Sequence, residues 1–247
     1  MFTILITGAN KGIGTGLVTE YLARPDTTVI AAVRDPSAKD SQALETLPKG
    51  ANSRLIVVKI ASTSETDASS AVETLRSQDI SHLDTVYANA GIFKREAFVG
   101  VSQSKTSDFI EHIDVNVGGP LRLFQATLPL LNAAEKPTFV LVSSVADTIG
   151  GAEKMPFKVT AYGASKAAAN FLLRRIHVEH ENVVSIAMHP GAVQTIAGNE
   201  GAVIFGFKEN FTTLRESIDG MVPKVDHATR EESSGKFLSF DDTPMMW

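Results

Sequence analysis

Residues 4–14 read "ILITGANKGIG", and this stretch decides the fold. Residues 3–7, "TILIT", are apolar or β-branched throughout and predict a strand buried on both faces. Gly8, Gly12 and Gly14 follow at once, before a helical pattern over 12–23. A glycine turn between strand and helix lets backbone approach a pyrophosphate closely. The helix start adds unpaired N–H donors and a favourable dipole. Asn10, Lys11 and Ile13 fill the same turn and become candidate contacts. The spacing is G-x-x-x-G-x-G, not the G-x-G-x-x-G of the usual dinucleotide fingerprint. A glycine-rich turn with no ligand is the plain alternative.

Working outward, the same alternation continues to the end of the chain. Apolar runs at 27–33, 54–60, 83–88, 138–144, 183–189 and 236–240 read as further strands. Helical patterns lie between them at 38–47, 66–77, 107–133, 161–180 and roughly 212–228. This predicts an α/β fold: a doubly wound, Rossmann-type parallel sheet of about seven strands with helices on both faces. Without linker, repeat or low-complexity tract, residues 1–247 are expected to form one domain. Segments 145–160 and 196–211 are glycine-rich and irregular, and they follow strand ends, where such sheets form their ligand crevice.

Composition removes several function classes. A formal charge of −5 offers no basic face for nucleic acid. No apolar run approaches the ~20 residues that span a bilayer, so no membrane partner is expected. The opening residues lack the basic head and long apolar run of a secretory signal. With no cysteine there are no disulfides and no thiolate nucleophile, and a reducing, cytoplasmic setting is expected. The six histidines show no metal-ligand spacing. His177 and His180 are three apart without a third ligand, so no metal is expected.

The second strand ends "AAVRDP", which sets Arg34 where cofactor choice is made. A guanidinium suits a 2′-phosphate, and Lys11 could add a second positive charge. NADPH is therefore expected over NAD. Asp35 is the counter-argument: its carboxylate, if turned to the ribose, would favour NAD.

Further on, "TAYGASKAAA" (160–169) sets Tyr162 one helical turn ahead of Lys166, on the same face. A free phenol titrates near ~10, too high for easy proton exchange at neutral pH. A neighbouring ammonium favours the phenolate and brings the phenol into range. A surface tyrosine beside a lysine is the ordinary reading of such a pair on its own.

"TGANKGIG", "ANAG" (88–91), "DVNVGGP" (114–120), "VSS" (142–144), "YGASK" (162–166) and "HPGAVQT" (189–195) occur in one order along the chain. In that order they resemble the short-chain dehydrogenase/reductase family over essentially the entire length. "LRLFQATLPLL" (121–131) and "SGKFLSF" (234–240) look closest to its carbonyl-reductase branch, which includes fungal polyketide ketoreductases. The resemblance implies a catalytic tetrad of Asn116, Ser144, Tyr162 and Lys166, with Ser143 the neighbouring alternative. It implies cofactor contacts from Asn89, Ala90 and Gly91, and from Pro190, Gly191, Val193 and Thr195. Tyr162 and Lys166 would also touch the cofactor. Two departures stand out. Ala61 replaces the acidic residue that commonly meets the adenine, leaving Ser62 as substitute. The interval from Ser144 to Tyr162 is also long, with an apparent insertion at 147–160.

The resulting expectation is an oxidoreductase, an NADP(H)-dependent carbonyl or keto reductase of secondary metabolism. Phe205, Phe207 and Phe211 in 196–211, with Met155, Pro156 and Phe157 in the insertion, suggest an apolar or aromatic small-molecule carbonyl substrate. Core packing is the alternative for these phenylalanines. The family's habit of pairing its long helices implies a homodimer or homotetramer. "TPMMW" (243–247) is expected to dock on a neighbouring subunit or near the pocket. Two rivals remain: a cofactor-dependent cyclase or isomerase, and an NADP(H)-sensing binding protein on the same frame.

Overall fold

The computed structural model describes residues 1–247, the side chain of Asp147 excepted. In chain order the elements are β1 (Phe2–Thr7), α1 (Gly12–Leu22), β2 (Thr27–Val33), α2 (Lys39–Gln42), β3 (Arg54–Lys59), α3 (Asp67–Ser77) and β4 (Thr85–Ala88). They continue with α4 (Thr106–Ile113), α5 (Gly119–Leu131), β5 (Thr138–Val142), α6 (Thr160–Glu179) and β6 (Val184–His189). Last come α7 (Ile196–Ile204), α8 (Leu214–Asp226) and β7 (Lys236–Ser239). The seven strands form one sheet in the order β3-β2-β1-β4-β5-β6-β7, parallel throughout. Strand order reverses between β1 and β4, where α3 carries the chain back across the sheet. Loops leaving these two strands diverge and open a crevice beyond their carboxyl ends.

Period-two alternation sends successive side chains to opposite layers. Leu5, Ile30 and Phe139 pack with Val72, Phe124 and Leu173 from α3, α5 and α6. Ile4, Val29 and Val140 face the other way, onto Leu17 of α1 and Ile218 and Met221 of α8. Each fully buried aliphatic side chain contributes about 1.5–3 kcal/mol, so these two layers outweigh any single polar contact at the site. No helix among the described residues is long and apolar enough to cross a membrane.

The predicted strands all form, within about two residues of their expected bounds. Three helical readings need correction. The helix expected over 38–47 is a single α turn, α2, followed by a 3-10 turn, Ala43–Thr46. The helix expected over 107–133 is broken by a π-helical turn, Asp114–Gly118. Pro120 has no N–H to give the Asn116 carbonyl, so the regular bond pattern fails there and the turn widens. Segment 196–211 is not irregular throughout, because α7 occupies its first half. Thr195 starts that helix by accepting the Gly198 N–H at 2.9 Å.

Candidate active site

Thr7 closes β1 and ties the two diverging strand ends together. Its hydroxyl donates to the Tyr87 carbonyl at 3.1 Å and accepts the Asn89 and Ala90 N–H groups, both at 3.0 Å. Asn89 returns its amide to the Thr7 carbonyl at 2.8 Å. Beyond this clamp, Gly8 and Gly12 hold φ of +61° and +50°, values a side chain disfavours. A Cβ on Gly14 would lie 2.1 Å from the Gly8 carbonyl oxygen, so the first turn of α1 sits directly on the glycine turn. Lys11, at the N-cap, gives that helix no side-chain hydrogen bond. The cradle therefore presents backbone donors at a helix start, the arrangement a pyrophosphate requires.

The neighbouring side chains bear on which dinucleotide fits. Arg34 is exposed at the end of β2. Asp35 Oδ1 accepts the Ser37 hydroxyl at 2.6 Å and the Ser37 N–H at 2.9 Å, which hold its carboxyl below the usual range. Its charge is thus occupied within its own turn. Lys11 pairs with Asp40 at 3.2 Å, both well exposed. Asn10 donates to Ser41 Oγ at 3.0 Å, and Ser41 donates onward to the Asp35 carbonyl at 2.7 Å, which steadies the loop. At Ala61 the acid arrives from elsewhere: Asp67 Oδ2 accepts the Ala61 N–H at 3.0 Å. Ser62 lines a small cavity there with Thr7 and Ala90.

The π turn buries Asn116 to 1% exposure. Its amide donates to the Ile92 carbonyl at 3.1 Å and to Ser165 Oγ at 2.9 Å, while its Oδ1 accepts the Ile92 N–H at 2.8 Å. Ser165 donates to the Tyr162 carbonyl at 2.7 Å. One amide thus fixes the segment after β4 against the start of α6. A Cβ on Gly91 would lie 3.0 Å from Asn116 Oδ1 and 3.7 Å from Lys166 Nζ, so glycine leaves the gap between them open. Lys166 is buried and donates to the Val142 carbonyl at 2.8 Å. Its Nζ stands 5.8 Å from the centroid of the Tyr162 ring.

Of the two serines after β5, Ser143 is buried and donates to Asn170 Oδ1 at 2.7 Å. Ser144 is half-buried, accepts the Ala146 N–H at 3.2 Å and lines a cleft of about 340 Å³. Tyr162 lines the same cleft, as do Ile13, Pro190, Gly191, Val193 and Thr195. A Cβ on Gly12 would lie 2.9 Å from Thr195 Cγ2, so the glycine turn and the 189–195 segment meet. Val193 is held by a bridge to Thr212, and the Pro190 carbonyl accepts Ser217 Oγ at 2.6 Å.

Among the described residues, no Asp, Glu, Lys or Arg lines the cleft. Its wall is aromatic. Phe93 meets the Tyr162 ring edge-on at 4.6 Å, Phe157 lies 4.4 Å from Phe205, and Phe207 lies 5.0 Å from Phe211. Met155 also lines it; Pro156 does not. Several contributors escaped sequence reasoning: Thr7, Phe93, His189 as a cleft residue, and Ser165 as the link between Asn116 and the Tyr162 carbonyl. Nothing in their local pattern marks them, since each acts only across the fold. Burial pushes the His189 imidazole down to about 4, and its buried Nδ1 has no partner among the described residues.

A doubly wound sheet with a glycine cradle at its switch point, and a buried lysine beside a tyrosine and a serine, defines a class of nicotinamide-dependent oxidoreductases. The chain belongs to the short chain dehydrogenase family, which residues 2–201 match. It is 46% identical over 244 residues to a norsolorinic acid ketoreductase of Dothistroma septosporum, covering 97% of this chain and 90% of that one. It is 41% identical to a short chain dehydrogenase of Penicillium aethiopicum, covering 99% of both. Among solved structures, an NADPH-bound carbonyl reductase from chicken fatty liver is similar with a TM-score of 0.86 at 28% identity, covering 99% of this chain and 98% of that one.

Proposed function

We propose that this protein is an NADPH-dependent ketoreductase that reduces an aromatic, polyketide-type ketone to an alcohol. The observation that carries the reading is the uncharged, phenylalanine-walled cleft with Ser144 and Tyr162 on its surface, entered by the glycine cradle at Ile13. Two groups of findings support it: the ketoreductase names of its fungal relatives and the NADPH held by the similar carbonyl reductase. The residues fit the cofactor. Gly8, Gly12, Gly14 and the start of α1 would hold the pyrophosphate, Asn89 to Gly91 and Pro190 to Thr195 would border the rest, and Arg34 would meet a 2′-phosphate. The two bonds that Asp35 Oδ1 accepts from Ser37 support Arg34 over Asp35 at that position.

When bound, the reduced nicotinamide supplies hydride to the carbonyl carbon. Ser144 donates a hydrogen bond to the substrate oxygen, where negative charge grows. Tyr162 delivers its hydroxyl proton to that oxygen and completes the alcohol. Lys166 stabilises the phenolate left behind, and Asn116 holds α6 and the segment after β4 in register for both. The aromatic walls exclude water and orient a flat ketone. The same reading takes residues 1–247 as one domain, cytoplasmic, and assembled as a homodimer or homotetramer. Exposed Ile110, Phe171 and Val178 on the outward faces of α4 and α6 support the last point.

The test is turnover of a panel of aromatic ketones, followed by loss of reduced nicotinamide absorbance, with NADPH and NADH side by side. NADPH-dependent reduction is expected. Tyr162→Phe is expected to lower kcat at least ~100-fold while NADPH affinity stays within about twofold. Near-normal turnover in that variant, or equal use of NADH, would overturn the corresponding part of the proposal.

A further inference from the structure

We propose that residues 245–247 act as a clasp on the loop between β5 and α6, with Trp247 as the positioning residue that sets its shape. This rests on the ketoreductase reading for its effect on substrate, but not for its structural basis. The loop supplies Ser144, Ala146, Met155, Phe157 and Val159 to the cleft. Its remote turn, 148–154, is held together by bonds internal to the loop, such as Lys154 N–H to the Gly151 carbonyl at 2.9 Å. Among the described residues, one backbone hydrogen bond ties that turn to a distant part of the chain: Gly150 N–H donates to the Trp247 carbonyl at 3.2 Å.

Trp247 is itself anchored to the body of the protein. Its ring stacks on Phe237 of β7, with centroids 5.5 Å apart and planes inclined by 29°. The Arg174 guanidinium of α6 lies 5.7 Å from the indole centroid, and Arg174 is fixed by donating to the Gly235 carbonyl at 2.6 Å. Met245 packs on the core layer, and Met246 Cε lies 3.4 Å from where a Cβ on Gly151 would sit. The internal bonds shape the turn, and its contacts with Met246 and Trp247 fix where it rests against the body of the protein. From inside the cleft the loop is met by the phenylalanines of the α7 segment, through Phe157 with Phe205 and Phe207. Releasing the clasp would let the outer wall move without touching the cradle or the tetrad. A large aromatic ketone, which needs that wall, would lose affinity; a small diketone would not.

Limited trypsin digestion reads the loop directly, since Lys154 and Lys158 are exposed within it. In Trp247→Ala, cleavage at these two sites is expected to speed up at least ~5-fold, with other sites and Tm little changed, because proteolysis follows local opening. KM for a large aromatic ketone is expected to rise roughly tenfold, while kcat, and KM for a four-carbon diketone, stay within about twofold. Trp247→Phe keeps a ring on Phe237 and is expected to restore wild-type behaviour. Wild-type cleavage in Trp247→Ala would overturn the clasp, as would faster cleavage at all sites with equal losses on both ketones. Should Trp247→Ala fail to fold, Phe237→Leu removes the stacking partner and carries the same comparison. If the protein reduces no ketone, the ketoreductase reading fails while the digestion still decides the clasp.

Discussion

At the residue scale, His189 shows what a side chain acquires from its surroundings. Ahead of Pro190 it reads as a strand-end histidine, yet the fold buries it against the cleft and lowers its basicity to about 4, with Asp241 only partly opposing. The sign follows from the unfolded chain, where histidine titrates near ~6.5. Between that value and about 4 the unfolded state binds the proton and the folded state does not. Stability from this group is therefore fully present above pH ~6.5 and is lost as pH falls towards the folded value, by on the order of 3 kcal/mol. His189→Asn is expected to flatten that acid-side decline in denaturant titrations at pH 7.5 and 4.5; an unchanged slope would contradict it. The same neutrality means His189 carries no charge into the cleft near neutral pH, in keeping with an uncharged substrate.

At the element scale, α7 is the part of the site most dependent on close packing. A Cβ on Gly201 would lie 2.4 Å from Phe93 Cε1, so the helix can approach the Phe93 ring only through glycine. That ring in turn abuts Tyr162. Gly201→Ala favours the helix by propensity but must displace Phe93 into the cleft. It is expected to raise KM for an aromatic ketone roughly tenfold, the scale of a one-carbon change in an apolar pocket, with NADPH affinity retained. Unchanged KM would mean that Phe93 does not border the bound ketone. The π turn makes a similar point. Its cause, Pro120, was visible in the sequence, but its result, Asn116 aimed at both Ile92 and Ser165, depends on where α6 lies.

At the scale of the whole molecule, the sheet places five separated segments around one crevice, and its outer helices leave apolar side chains uncovered. Phe171 is 70% exposed and Ile110 61%. Such apolar groups on outward helix faces fit a second copy of the chain. Sedimentation equilibrium is expected to give a dimer or tetramer, and Phe171→Glu is expected to shift it to monomer with the sheet intact by circular dichroism. A monomeric wild-type chain would remove this part of the proposal.

The alternation of apolar strands with helices, the glycine turn and the Tyr162–Lys166 spacing were all legible in the sequence, because each is a local pattern with one geometric meaning. Period two, period 3.6 and a one-turn offset are properties of the backbone itself. The different surroundings of Ser143 and Ser144, the bridge of Val193 to Thr212 and the docking of Trp247 were decided by tertiary structure alone. Each depends on which distant group, Asn170, Thr212 or Phe237, the fold brings within contact, and no run of neighbouring residues encodes that distance.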